Sequence, residues 1–160
     1  MISRKMKIDA EKTGAELLGL REGVTDTSTL IYLEEIHLLQ KAIDCFQLLL
    51  PTGVVAEFGR CPAGCIVCGE KESRITDLAV VELAASRYLP VFSEDRQILR
   101  ASAGVGLKYY NTLMLLLSLL LQNKIDISGY KKAHTCLQKT ARYSPAVWQA
   151  GEKVFSLYVR

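Results

Sequence analysis

The sequence predicts an α/β protein, a three-layer α/β/α sandwich around a central, mostly parallel sheet with extra helices at the C-terminus. Two observations indicate this class. Short apolar segments typical of buried strands alternate with helical segments from Glu22 to Gln122, an order that favours a parallel sheet with right-handed crossovers. The chain has 160 residues, of which 49% are hydrophobic, so it is long enough for one domain with a substantial core.

The elements follow from caps, breakers and periodicity. We treat the polar, helix-prone residues 1–21 as an N-terminal leader and residues 22–160 as a single domain. The predicted strands are Glu22–Thr25, Gly53–Val55, Leu89–Phe92 and Leu107–Tyr110. The predicted helices begin after Asp26, at Lys41, near Asp77, at Arg96, at Leu113, at Ile127 and at Pro145, as capping residues, a first-turn proline and apolar residues at helical spacing indicate. Residues 59–72, which contain CPAGCIVCGE, are an irregular insert.

Hydropathy argues against a secreted protein and against a membrane-spanning one. The formal charge is +3, which is compatible with a polyanionic partner but does not by itself indicate one. The N-terminus lacks the apolar core of a secretory signal. The most apolar run, Leu113–Leu121, is about half the length that a bilayer requires. We therefore expect a cytoplasmic protein without a membrane segment, in which the five cysteines are reduced.

Acidic residues follow several of the predicted strands. Asp26, Glu57 and Asp95, with Glu94 beside the last, come after strands, and Asp77 opens a helix. Because the carboxyl ends of parallel strands meet at one edge of a sheet, these carboxylates are expected in one crevice. Each aspartate alone is more simply explained as a helix cap or dipole partner. Several together favour a cation such as Mg²⁺ or Mn²⁺, since carboxylates at close range repel one another.

The order of these motifs resembles the PIN-domain family of nucleases, in particular proteins related to VapC-type toxins. The correspondences are Asp26-Thr27-Ser28 after the first strand, Glu57 in VVAEF, Asp77 in ITDLAVVELA and Ser93-Glu94-Asp95 after the strand Leu89–Phe92. A helix with an arginine, a glycine turn, a strand, a long apolar helix and two further helices follow, as in that subgroup. The resemblance covers nearly all of residues 23–158, although each motif is short.

The resemblance implies a metal-dependent endoribonuclease, commonly the toxin of a toxin–antitoxin pair and commonly a homodimer. Its partners would be RNA and an antitoxin protein. Asp26, Asp77 and Asp95 would be metal ligands, and Glu57 would be a ligand or a proton acceptor. Glu94, where such proteins often have Asn or Asp, is a further candidate ligand. Arg96 and Arg100, one helical turn apart beside Asp95, are candidates for contacts with RNA phosphates.

Two other readings of the sequence remain open. The chain could be a catalytically silent PIN-like module that binds nucleic acid or protein. Alternatively, Cys61, Cys65 and Cys68, spaced C-x3-C-x2-C, could hold Zn²⁺ or an iron–sulfur cluster and serve as a metal or redox sensor. A fourth ligand would have to come from Cys45, Cys136, His37, His134 or a second chain. Free thiols in a loop are the commoner explanation of such spacing.

Overall fold

The computed structural model describes residues 9–69 and 76–159 and contains a five-stranded, entirely parallel sheet. Its strand order is β3-β2-β1-β4-β5. The strands are β1 (Glu22–Thr25), β2 (Gln47–Pro51), β3 (Ile66–Cys68), β4 (Val91–Phe92) and β5 (Tyr109–Tyr110). The predicted α/β class with a parallel central sheet is confirmed.

The described residues include nine helices, which cover both faces of the sheet. They are α1 (Ala10–Gly19), α2 (Thr27–Glu35), α3 (Leu39–Cys45), α4 (Thr52–Phe58), α5 (Thr76–Arg87), α6 (Arg96–Gly104), α7 (Thr112–Leu121), α8 (Ile127–Thr140) and α9 (Pro145–Tyr158). Helix α5 contacts β1, β2 and β4, and α6 lies beside it against β5. Helices α3 and α7 contact each other and belong to the other layer, so the fold is a three-layer α/β/α sandwich.

The strand order reverses between β1 and β4. From β1 the chain proceeds outward to β2 and β3, then crosses back to β4 and ends the sheet with β5. Strands β1 and β4 are neighbours, with Val24 opposite Val91 and Thr25 opposite Phe92. In open parallel sheets, ligands bind in the crevice outside the carboxyl ends of the strands at such a switch point. The residues that directly follow β1 and β4 therefore occupy the position where chemistry is expected.

The predicted second strand, Gly53–Val55, is wrong, because those residues lie within α4 and the strand is Gln47–Pro51. The helix expected to begin at Lys41 begins at Leu39 and ends at Cys45. Leu48, Leu49 and Leu50 are each at most 3% exposed, which is the continuous apolar pattern of a parallel strand covered on both faces. Proline restricts the preceding residue to extended conformations, so Pro51 ends a strand here and not a helix.

The cysteine-containing segment is not wholly irregular. Its residues Ile66–Cys68 form the edge strand β3, with Leu49 opposite Ile66 and Pro51 opposite Cys68. The predicted insert is therefore partly a strand of the sheet, and its last residues, 70–72, lie outside the described part of the chain. The strands expected to begin at Leu89 and Leu107 are also shorter than predicted, since they begin at Val91 and Tyr109.

The described part of the leader packs on the domain. Helix α1 contacts α7 and α9, Leu17 is fully buried, and the Ser118 hydroxyl donates a hydrogen bond of 2.7 Å to the Leu17 carbonyl. Residues 1–8 of the predicted leader lie outside the described residues. Helices α8 and α9, predicted as C-terminal additions, pack against α7. Among the described helices, none is long and apolar enough to cross a membrane.

Candidate active site

Asp26 is a buried carboxylate directly after β1. It is 5% exposed, and its amide donates a hydrogen bond of 2.9 Å to the carbonyl of Phe92 at the end of β4. Its Oδ2 atom accepts hydrogen bonds from the hydroxyls of Ser28 at 2.8 Å and Ser93 at 3.0 Å. Although Asp26 precedes α2, its side chain makes no capping hydrogen bond to that helix. The role of a helix cap therefore does not explain why an aspartate stands here.

Asp95, at the end of the loop after β4, does cap a helix. Its Oδ1 atom accepts hydrogen bonds from the amides of Gln97 at 2.7 Å and Ile98 at 3.4 Å, in the first turn of α6. Its own amide donates to the hydroxyl of Ser93 at 3.0 Å. Ser93 therefore bridges Asp26 and Asp95 across the switch point. Capping uses only one oxygen of Asp95, so the second can serve another purpose.

Three consecutive hydroxyls at the start of α2 hold three different acids. Thr27 donates to Glu57 at 2.9 Å, Ser28 to Asp26 at 2.8 Å and Thr29 to Glu94 at 2.9 Å. The Ser28 hydroxyl also accepts a hydrogen bond of 3.1 Å from the Glu94 amide. Successive residues of a helix project about 100° apart, so such a run can reach acids on different elements. The first turn of α2 thus orients acids from β1, α4 and the β4–α6 loop.

Asp77 shares its electrostatic environment with three of these acids. It lies in the first turn of α5 and its side chain is exposed. The pKa of Asp77 is raised, first by partial burial and then by the negative charges of Asp26, Asp95 and Glu57. Like charges raise the pKa of a carboxyl group because they disfavour its ionised form. Asp77 is therefore near enough to these acids for their charges to act on its carboxyl group, while hydrogen bonds of Thr27, Ser28 and Ser93 connect Glu57, Asp26 and Asp95 directly to this edge of the sheet.

Glu94 is held differently from the other acids. Its carboxylate accepts hydrogen bonds from the Thr29 hydroxyl at 2.9 Å, from the Thr112 amide at 2.9 and 3.2 Å, and from the Tyr143 hydroxyl. Burial raises the pKa of Glu94, while these hydrogen bonds act in the opposite direction. Burial and the charge of Glu94 also raise the pKa of Tyr143. Both oxygens of Glu94, a candidate ligand in the sequence, are thus engaged by protein donors.

The oxygen atoms that the crevice offers as ligands are of the type that hard divalent cations prefer. Across the described residues, no group of three or more His, Cys, Asp or Glu side chains is arranged so that it could hold a metal ion. Mg²⁺ is usually bound by one or two carboxylates together with several waters. Each of three acids keeps an oxygen that accepts no hydrogen bond from a described residue, namely Asp26 Oδ1, Glu57 Oε1 and Asp95 Oδ2. One or two of these oxygens, together with waters, would hold such an ion.

The cysteines do not form a metal site within the described residues. All five are free thiols; Cys61 is exposed, whereas Cys65 and Cys68 are partly buried. Burial, and secondarily the neighbouring Cys61, raises the pKa of Cys65 to about 11. Because the thiolate is the metal ligand and the nucleophile, this pKa works against both roles. The possible metal or redox role of C-x3-C-x2-C stays a prediction.

The two arginines predicted to bind RNA lie on α6, the helix that Asp95 caps. Arg96 is the first residue of α6, and both Arg96 and Arg100 are exposed. Neither forms an ion pair with another described residue; the ion pairs found there are Arg60–Glu34 and Lys108–Glu16. Both guanidinium groups are therefore available to an anionic ligand.

Sequence reasoning missed Thr112 and Tyr143 as neighbours of the site. Thr112 and Tyr143 lie 18 and 49 residues beyond Glu94, and neither belongs to one of the motifs identified in the sequence. A run of three hydroxyls, Thr27–Thr29, was a visible signal, although nothing in the sequence indicated which acid each would reach.

A scan against models of known protein families finds none that matches this chain. A comparison with curated proteins also finds no match. Fold and site therefore define a class of protein only, an α/β protein with a parallel sheet and an acidic crevice at its switch point. The resemblance to PIN-domain nucleases stays a prediction.

Proposed function

We propose that this protein is a PIN-type endoribonuclease that depends on Mg²⁺ or Mn²⁺. The observation that carries the proposal is the set of hydrogen bonds by which Thr27, Ser28 and Ser93 hold Glu57, Asp26 and Asp95 at the switch point, and the raised pKa of Asp77 agrees with it. Four carboxylates in one place repel one another, and proteins that gather them commonly do so to bind a cation. The proposal includes a cytoplasmic location. The toxin role, the antitoxin partner and the homodimer stay predictions.

In this proposal each acid has a defined task. Ser28 and Ser93 hold Oδ2 of Asp26, so Asp26 would offer Oδ1 to the cation. Asp95 would offer the oxygen that does not cap α6. A bound Mg²⁺ or Mn²⁺ supplies an activated water and neutralises charge on the phosphodiester. Glu57, held by Thr27, would act as ligand or proton acceptor, and Asp77 would add negative charge at the rim.

Asp26→Asn tests the proposal directly. The substitution keeps an oxygen that can accept from Ser28 and Ser93, but it removes the charge that the cation requires. We expect the wild-type protein to cleave single-stranded RNA in the presence of Mn²⁺ and to stop when a chelator is added. We expect Asp26→Asn to reduce the cleavage rate roughly 100-fold or more, the scale of losing one preorganised electrostatic group.

Asp44→Asn is the matched control. Asp44 is exposed on α3 and accepts a hydrogen bond of 2.9 Å from Gln40, away from the switch point. The same chemical change there should leave cleavage unaltered. If wild type and both variants cleave equally, or if the activity survives the chelator, the proposal is wrong. A wild-type protein that binds RNA without cleaving it would favour the silent module.

Arg96 and Arg100 should contribute to RNA affinity and not to chemistry. Each phosphate contact on a single strand contributes about 0.7 to the slope of log affinity against log salt. We expect Arg96→Ala and Arg100→Ala each to weaken RNA binding and to flatten that slope by about 0.7. Binding is measured by fluorescence anisotropy in Ca²⁺ over a range of salt concentrations. Lys124→Ala, at an exposed site beyond the end of α7, is the control. If it weakens RNA binding and flattens the salt slope as much as the arginine variants do, Arg96 and Arg100 have no specific role in RNA binding.

A further inference from the structure

We propose that Glu94 is a positioning residue that fixes the Ser93–Asp95 loop and connects it to the C-terminal helices α8 and α9. Its contribution to metal binding rests on the proposed function, but the connection itself does not. The sequence alone suggested that Glu94 could be a metal ligand. The hydrogen bonds around its carboxylate point to a different role.

The carboxylate of Glu94 joins three separate parts of the fold. The Thr29 hydroxyl donates to it from α2, the Thr112 amide from the first turn of α7, and the Tyr143 hydroxyl from the connection between α8 and α9. Both oxygens are engaged in a largely buried environment. Leaving one such acceptor without its donor is costly, since the group has been removed from water. The geometry therefore favours one orientation of the Glu94 side chain.

The backbone of Glu94 lies between Ser93 and Asp95, the two loop residues at the candidate site. Its amide donates to Ser28 Oγ at 3.1 Å, which also holds Asp26. Ser93 donates to Asp26 at 3.0 Å and accepts from the Asp95 amide at 3.0 Å. A change in the Glu94 side chain would therefore be transmitted to both neighbours. The carboxylates of Asp26 and Asp95 would lose their common orientation.

Tyr143 offers a way to test this connection without touching the loop. Tyr143→Phe deletes one hydroxyl and keeps the ring, which packs on Trp148 with centroids 5.1 Å apart. Tyr130→Phe is a matched control in the same helical pair. The Tyr130 ring stacks on Phe155 with centroids 5.0 Å apart, and its hydroxyl donates a hydrogen bond to no described residue. Both variants lose one phenolic oxygen, but only the first loses a contact with Glu94.

The experiment measures amide hydrogen exchange by NMR together with Mn²⁺ affinity. We expect Tyr143→Phe to accelerate exchange at the Glu94 and Asp95 amides roughly tenfold, and Tyr130→Phe to leave both unchanged. We expect Tyr143→Phe and Glu94→Gln each to weaken Mn²⁺ binding and to lower kcat by about 10- to 100-fold, the range for residues that orient metal ligands. KM for RNA should not change, because no RNA contact is removed.

Two results would overturn the inference. If Glu94→Gln abolishes Mn²⁺ binding while Tyr143→Phe leaves it unchanged, Glu94 is a ligand. If Tyr143→Phe lowers thermal stability but leaves exchange at Glu94 and Asp95 as in Tyr130→Phe, the contact is only structural. Should the wild-type protein neither bind Mn²⁺ nor cleave RNA, the proposed function fails. The exchange rates then decide alone whether Glu94 positions the loop.

Discussion

Replacing Asp77 by Asn is expected to leave the metal-free protein as stable as wild type or slightly more stable, while suppressing Mn²⁺-dependent RNA cleavage. The side chain is exposed in the first turn of α5, and its ionised form is repelled by Asp26, Asp95 and Glu57. Asn removes that repulsion and, for the same reason, weakens a cation site. We expect a loss of cleavage of roughly 100-fold or more, as for other single electrostatic groups.

The raised pKa of Asp77 determines the direction in which the stability of the protein changes with pH. The pKa of Asp77 in the folded protein is raised from its usual value of 3.8. Ionisation of Asp77 therefore opposes folding, and stability falls as the pH rises from about 3.8 through the raised pKa. Because Asn does not ionise, the variant does not suffer this fall in stability. The free energy of unfolding of the variant should rise above that of wild type as the pH increases through this window, and the two should be equal below it. Urea unfolding between pH 3 and pH 7 measures this difference.

Glu82→Gln is the control for Asp77→Asn, because Glu82 is an exposed acid on the same helix. It should leave cleavage unchanged. If Asp77→Asn instead destabilises the metal-free protein by about 1 kcal/mol, the cost of losing a helix-end interaction, and cleavage persists, then Asp77 is structural. The assignment of the site would then be wrong at this residue.

The parts of the fold that could be predicted are those with local signals. Helix α6 begins where Asp95 was expected to cap it, and α9 begins at Pro145. Both starts depend on interactions within one turn of chain, which a sequence pattern contains. The acids could be placed at one edge because parallel strands share a direction, whatever their exact bounds. Glu57 was expected directly after a strand but lies near the end of α4, and it reaches the start of α2 through the hydrogen bond from Thr27.

The parts that could not be predicted depend on contacts distant in sequence. The run Leu48–Leu50 suits a buried strand or a buried helix, and only the neighbouring strands β1 and β3 decide between them. The role of Glu94 depends on Thr112 and Tyr143, which are 18 and 49 residues away. A carboxylate that orients its neighbours and one that binds a cation look alike in a sequence. Their hydrogen-bond donors distinguish them.

The largest expected loss of stability comes from Phe92, the last residue of β4. Its ring is fully buried between Phe46 and Tyr110, with centroids 6.2 and 6.3 Å away. Phe92→Ala would leave a cavity in the core, and such substitutions cost about 3–5 kcal/mol. Because domains of this size are stable by only about 5–15 kcal/mol, we expect a large fall in the urea midpoint measured by circular dichroism.

The same ring explains why position 23 in β1 is glycine. A Cβ atom added at Gly23 would lie 2.4, 2.5 and 2.7 Å from three atoms of the Phe92 ring. Because Phe46 and Tyr110 flank that ring, it has little room to move, and Gly23→Ala should cost about 1–3 kcal/mol by overpacking. In a Phe92→Leu background, which avoids the full cavity, the added methyl group would find space. The penalty of Gly23→Ala should therefore shrink or reverse.

A double-mutant cycle of Gly23→Ala and Phe92→Leu measures this dependence, and we expect a coupling free energy of about 1 kcal/mol or more. Gly104→Ala is the control, because a Cβ atom there would meet nothing within 4 Å. Its effect should add to that of Phe92→Leu without coupling. Equal penalties for Gly23→Ala in both backgrounds would contradict the close packing of β1 on the Phe92 ring. The Phe92 carbonyl accepts a hydrogen bond from the Asp26 amide. That packing therefore also holds together the ends of β1 and β4, from which the acidic crevice is built.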